Sequence, residues 1–145
     1  MSESRLHQLL VDIAKRNIRR ILPEVPNCFI LSDSPDSMPN QKPGVIQGYL
    51  PDLYIDTGEV LVIGEAKTPD DVERKHSIDQ YYAFLKECAA YDGEANFLLS
   101  TTWDLVATAK NLLTRINNKI GSQRTKILVL CELDMGERNA ENQDV

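Results

Sequence analysis

The sequence predicts an α/β domain, a mixed β-sheet flanked by helices, and three observations lead to it. Apolar residues recur at helical spacing in three separate stretches, and short β-prone runs lie between them. Taken in chain order the elements are helix, strand, strand, strand, helix, strand, helix, strand, or α-β-β-β-α-β-α-β, and such alternation places helices against a sheet. At 145 residues the chain is long enough to bury a core as one domain, and its apolar fraction of 42% and charged fraction of 26% are ordinary for a soluble globule.

The first helix is expected over Ser2 to Leu22. Leu6, Leu9, Leu10, Ile13, Ala14, Ile18 and Ile21 fall on one face, and Pro23 stops the helix. Glu3 lies in its first turn, where a carboxylate suits the helix dipole. Lys15, Arg16, Arg19 and Arg20 crowd the far end, which is favourable capping and also a candidate phosphate-contacting patch. His7 has no second His or Cys nearby to make a zinc site, and it carries no assigned role. Asn27 to Leu31 reads as a short strand. Ser32 to Gly44, which includes Lys42, has turn composition throughout, and Val45 to Leu50 reads as an extension of the second strand.

The stretch Pro51 to Lys67 is the centre of the chain. Glu59 to Lys67 alternates, with Leu61, Ile63, Glu65 and Lys67 on one face and Val60, Val62, Gly64 and Ala66 on the other, so it is a buried strand ending in two ionisable groups. Unpaired charge at the edge of a core is costly, and something must compensate it. Asp52 to Asp56 is a partner strand, with Thr57-Gly58 as the turn. A loop of those two residues sets Asp52 opposite Ile63 and diagonal to Glu65, whereas a three-residue loop turns Asp52 to the other face unless a bulge restores it; the register stays open at this stage. Two carboxylates on one face of a strand pair repel unless a cation sits between them, and hard oxygen ligands suit Mg²⁺ or Mn²⁺. Asp52 and Glu65 are the candidate ligands, the Ala66 backbone carbonyl a third, and Lys67 a group that orients or deprotonates a water.

Beyond Lys67, Thr68-Pro69-Asp70-Asp71 reads as an N-cap with Pro at the first helical position, and Ser77 with Gln80 as an S-x-x-Q capping box. Ile78, Tyr81, Tyr82, Leu85, Cys88 and Ala89 form the stripe of the second helix. Asn96 to Ser100 is a strand. Thr101 or Thr102 caps a third helix that carries Leu105, Val106, Ala109, Leu112, Leu113, Ile116 and Ile120 and ends at Gly121. Trp103, in its first turn, is expected to be packed or half-packed rather than a base-stacking platform. Lys110, Arg115, Lys119, Arg124 and Lys126 make this region a second candidate for phosphate contact. Lys126 to Leu133 is the last strand, which closes a domain over residues 1–133. An acidic, disordered tail is expected over 134–145, and it carries half of the net charge of -6.

Pro51-Asp52, twelve intervening residues and then Glu65-Ala66-Lys67 resemble the PD-(D/E)xK nuclease superfamily, which includes restriction endonucleases, Holliday junction resolvases and RecB-type exonuclease domains. The resemblance implies a restriction-endonuclease-like fold with an α-β-β-β-α-β core. It also implies a Mg²⁺-dependent or Mn²⁺-dependent deoxyribonuclease in which Asp52 and Glu65 bind the metal and Lys67 is catalytic. It implies in addition that Glu3 on the first helix is a possible further carboxylate, and that Gln80 is part of a Gln or Tyr motif near the metal, although Phe84 stands where a Gln-x-x-x-Tyr pattern has tyrosine.

A net charge of -6 argues against tight coating of DNA and favours a restricted substrate or a partner that supplies affinity. Homodimerisation, a place in a larger DNA-processing complex and a non-catalytic binding subunit on the same fold are the partner expectations. Cys28, Cys88 and Cys131 lie in apolar runs without a C-x-x-C and read as free buried thiols of a reducing cytosol. With no leader-like start and no apolar run approaching 18 residues, the expectation is a soluble cytoplasmic protein.

Overall fold

The computed structural model describes residues 4–33 and 37–134. Helix α1 (Arg5–Ile21) is followed by strand β1 (Leu31–Ser32), strands β2 (Leu53–Asp56) and β3 (Val60–Ala66), helix α2 (Lys75–Ala90), strand β4 (Glu94–Ser100), helix α3 (Val106–Ile120) and strand β5 (Thr125–Leu130). The five strands make one open mixed sheet in the order β1-β2-β3-β4-β5, antiparallel from β1 to β3 and parallel from β3 to β5. The architecture is therefore α/β, with the expected succession of helices and strands.

Each face of the sheet has its own core. Leu61, Ile63, Phe97 and Leu99 meet Tyr81, Phe84 and Leu85 of α2 and Leu113 of α3. Leu53, Ile55, Val62 and Leu98 meet Ala14 and Ile18 of α1 on the opposite face. β3 is buried from Leu61 to Ala66, as a near-continuous apolar run in the middle of a covered sheet should be. Burying both faces is what later forces the environment of Glu65.

Ser4 is the N-cap of α1 and accepts the His7 N–H at 3.0 Å, so the helix starts later than the periodicity suggests and Glu3 falls outside the described residues. Asn27–Phe29 is a 3₁₀ turn rather than a strand, and pairing is confined to Leu31 and Ser32. Val45 to Leu50 does not extend β2. Ile46 and Tyr49 bridge each other around Gln47 and Gly48, both at positive φ, which makes a tight turn of the segment. Thr68 to Asp71 closes a turn through the Asp71 N–H and the Thr68 carbonyl, and α2 begins only at Lys75, which leaves Ser77 and Gln80 inside the helix and removes the capping box. β5 stops at Leu130, with a 3₁₀ turn over Glu132–Asp134. Cys88 and Cys131 are buried, whereas Cys28, on the turn that replaces the expected strand, is exposed. The tail from 135 onward lies outside the described residues. Among those residues no helix is long and apolar enough to cross a membrane.

The hairpin register is the detail on which the site depends. Asp56 pairs with Leu61 and Leu53 with Gly64, and the Thr57 N–H donates to the Val60 carbonyl at 3.0 Å. Gly58-Glu59 is thus the two-residue connection, one position later than expected, with a φ of +92° at Gly58 and a negative φ at Glu59. Glycine at the first central position with positive φ is the requirement of a type II′ turn. The shift carries Asp52 two positions along β3 without changing its face.

The start of the parallel β3–β4 ladder leaves no room for a side chain at Gly93, where a Cβ would lie 2.2 Å from the Glu59 carbonyl oxygen. That carbonyl also accepts the Glu94 N–H at 3.0 Å, so it cannot move away freely. Gly93→Ala is expected to lower stability by about 1–3 kcal/mol, measured as a lower urea midpoint at unchanged slope. Gly44→Ala, where nothing lies within 4 Å, is expected to leave the midpoint unchanged.

Candidate active site

The β2–β3 backbone ladder ends at Leu53 and Gly64, and the next pair in register is Asp52 with Glu65. Pro51 has no N–H to continue the ladder, and side chains take it over. The Asp52 N–H donates to Glu65 Oε2 at 2.9 Å, and the Ala66 N–H donates to Asp52 Oδ2 at 2.9 Å. Each carboxylate is held by the main chain of the other strand. The structure therefore brings Asp52 and Glu65 directly opposite each other, closer than the diagonal arrangement.

Lys67, one residue past the end of β3, joins them. Its ammonium is 3.5 Å from Glu65 Oε1, with side-chain exposures of 10% and 3%. It also donates to Gln80 Oε1 of α2. Gln80 therefore belongs to the site through Lys67 rather than through a helix cap. Tyr81 beside it is committed elsewhere, its hydroxyl donating to the Val72 carbonyl at 2.9 Å.

Burial raises the proton affinity of Glu65 well above the usual carboxylate range, and the neighbouring Asp52 charge raises it further. Lys67 and the Asp52 N–H pull the other way and do not cancel the first two. A hard cation between the carboxylates would relieve the same repulsion. Among the described residues no group of three or more His, Cys, Asp and Glu is gathered so as to hold a metal ion unaided. Two carboxylates, a main-chain carbonyl and water nevertheless fit Mg²⁺, which takes few protein ligands and retains several waters. Asp52 Oδ1 takes part in no hydrogen bond among the described residues, which leaves one oxygen of the pair available.

Three nearby residues were not signalled by the sequence. His7, in the first turn of α1, has Nε2 3.3 Å from Asp52 Oδ2, a contact made by the way α1 crosses the sheet. Asp33, the residue after β1, donates its N–H to the Asp52 carbonyl at 3.0 Å, continues the acidic row and holds Lys42 at 3.7 Å. Thr101 follows Ser100, the partner of Ala66, and so stands beside Lys67; its buried hydroxyl has no hydrogen-bond partner among the described residues.

The basic candidates are not gathered here. α1 starts at Asp52 and runs toward the hairpin turn, where Leu22 and Val25 pack near Val60. Lys15, Arg16, Arg19 and Arg20 are therefore about 12–20 Å along the axis from His7. Arg19 donates to the Asn27 side chain. α2 and α3 likewise begin at the end of the sheet that carries Lys67 and Thr101 and run away from it. Lys110 lies about 6 Å along α3, and Arg115 lies farther, on the groove between α2 and α3. Arg124 is tied to the Tyr91 and Asp92 carbonyls, and Lys126 stands 3.7 Å from Glu94.

The raised proton affinity of Glu65 has a sign that can be tested. Between the ordinary carboxylate value of 4.5 and its own, the folded chain holds a proton that the unfolded chain has released, so stability declines as pH rises through that window. In chelator-containing buffer the urea midpoint is expected to fall as pH rises above the ordinary carboxylate range, and Glu65→Gln is expected to flatten the profile. A wild-type profile parallel to that of Glu65→Gln would show that Glu65 ionises normally. Compared with known family models, curated proteins and solved structures, the chain has no match.

Proposed function

We propose that this α/β domain has a restriction-endonuclease-like fold and is a metal-dependent nuclease that hydrolyses DNA phosphodiester bonds at a PD-ExK site. The observation that carries the proposal is the placement of Asp52 directly opposite Glu65 with the Lys67 ammonium 3.5 Å from Glu65. A pair of opposed carboxylates beside a buried amine is a poor device for stability alone. Burying the charges costs several kcal/mol per ion, and apolar residues of the same volume would do at least as well.

Asp52, Glu65 and the Ala66 carbonyl would hold Mg²⁺ or Mn²⁺. Bound there, the ion would supply Lewis acidity toward a phosphoryl oxygen and a water of lowered pKa. Lys67 is positioned by Gln80 and Glu65, orients the attacking water and offsets charge developing on the phosphate. The Ala66 N–H and His7 hold one oxygen of Asp52, which presents the other. The site lies at the buried ends of β3 and β4, and exclusion of water there strengthens each of these interactions.

Purified protein is expected to cleave DNA with Mg²⁺ or Mn²⁺ and not with chelator. Asp52→Asn, Glu65→Gln and Lys67→Met are each expected to lower the rate by about 100-fold or more while circular dichroism stays unchanged. Calorimetric Mn²⁺ binding should be lost in the first two and kept in the third. Cleavage that is indifferent to Asp52→Asn or Lys67→Met would refute the assignment. Absence of ion binding in the wild type would leave a nuclease-fold binding subunit of a DNA-processing complex.

A further inference from the structure

Trp103 is the only tryptophan of the chain, and it is 62% exposed, against the expectation that it packs. Exposure of that extent is unusual for an indole, which is highly buried on average. Its mount is rigid. The Trp103 N–H donates to Glu132 Oε1 at 2.8 Å, tying the 3₁₀ turn Trp103–Leu105 to the turn after β5, and the Thr102 hydroxyl donates to Asp104 Oδ1 at 2.7 Å. The ring is therefore displayed from a backbone tethered to the turn after β5.

Its place in the fold is at the same end of the sheet as the carboxylate pair. Thr101 stands beside Lys67 in the parallel register, and Trp103 is two residues further on, within about 12 Å of the Lys67 main chain by strand spacing and residue rise. Across the strand ends the order is Asp52, then Glu65 and Lys67, then Trp103. Glu132 accepts the Trp103 main-chain N–H and Asp104 follows it in the chain, two carboxylates that make the spot unfavourable for a phosphate. An uncharged planar group is the better occupant.

We propose that Trp103 is a stacking platform for an unpaired nucleobase adjoining the phosphodiester at Asp52, Glu65 and Lys67, so that the substrate is single-stranded nucleic acid or the frayed end of a duplex. This rests on the nuclease reading above for the neighbouring phosphodiester. Stacking has little dependence on sequence and needs no basic stripe, which suits a chain of net charge -6 in which the α1 cluster of Lys15, Arg16, Arg19 and Arg20 lies far from the site.

The single tryptophan makes the test direct. In low-salt buffer with chelator, a 12-mer oligothymidylate is expected to quench the fluorescence of the full chain. An abasic oligomer of the same length and charge should not, and a blunt duplex should quench far less. Trp103→Ala, followed by fluorescence anisotropy of labelled oligothymidylate, is expected to weaken binding by about 5- to 150-fold, and Trp103→Phe to restore most of it. Quenching by the abasic oligomer equal to that by oligothymidylate, tighter binding of duplex, or unchanged affinity in Trp103→Ala would overturn the proposal. Cleavage with Mn²⁺ is a separate arm. Quenching without cleavage removes the chemistry and keeps the platform, and cleavage without quenching does the reverse.

Discussion

The accommodation of Glu65 is the constraint from which the rest of the site follows. A strand buried on both faces ends in a carboxylate that is 3% exposed, and an isolated charge there would be several kcal/mol uphill. The chain offsets this with three short-range devices: a main-chain N–H from Asp52, the Lys67 ammonium and a raised proton affinity. The first of these works only because the hairpin is in one register. A one-residue slip would turn Asp52 to the α1 face and leave Glu65 with an amine alone. The Gly58-Glu59 turn, at the far end of the hairpin, thereby determines whether Asp52 meets Glu65.

The fold was largely legible in the sequence because its long elements carry strong periods. The stripe from Leu10 to Ile18, the continuous run of β3 and the stripe from Ala109 to Ile120 each have one interpretation. The misassignments fall where period is absent. Asn27–Leu31 and Val45–Leu50 are short apolar runs near prolines or glycines, and local turn chemistry there outweighs β propensity. Ser77 with Gln80 matched a cap pattern, but the turn from Thr68 to Arg74 had already reversed the chain, so Gln80 was free to face Lys67.

At the site, spacing along one hairpin was readable and contact between distant elements was not. Asp52, Glu65 and Lys67 lie within 16 residues, and period-2 geometry places Glu65 and Lys67 on one face, which Asp52 joins only in the register that the structure shows. His7, Asp33 and Thr101 reach the same place from three other elements, which depends on sheet order and on the tilt of α1. The basic residues show the converse. Lys15, Arg16, Arg19 and Arg20 form a cluster in sequence, and the direction of α1 carries that cluster away from the acids.

That direction is shared. α1, α2 and α3 all have their N-termini at the end of the sheet that holds Asp52, Lys67 and Trp103, and each N-terminus carries about half a positive charge from its peptide dipoles. Those partial charges offset part of the acidity that Asp33, Asp52, Glu65, Asp104 and Glu132 gather at the same end, while Lys15, Arg16, Arg19 and Arg20 are carried to the opposite one. The helix backbones and the charged side chains thus set the electrostatic axis of the fold in opposing senses, and an ion at the strand ends meets the balance of the two.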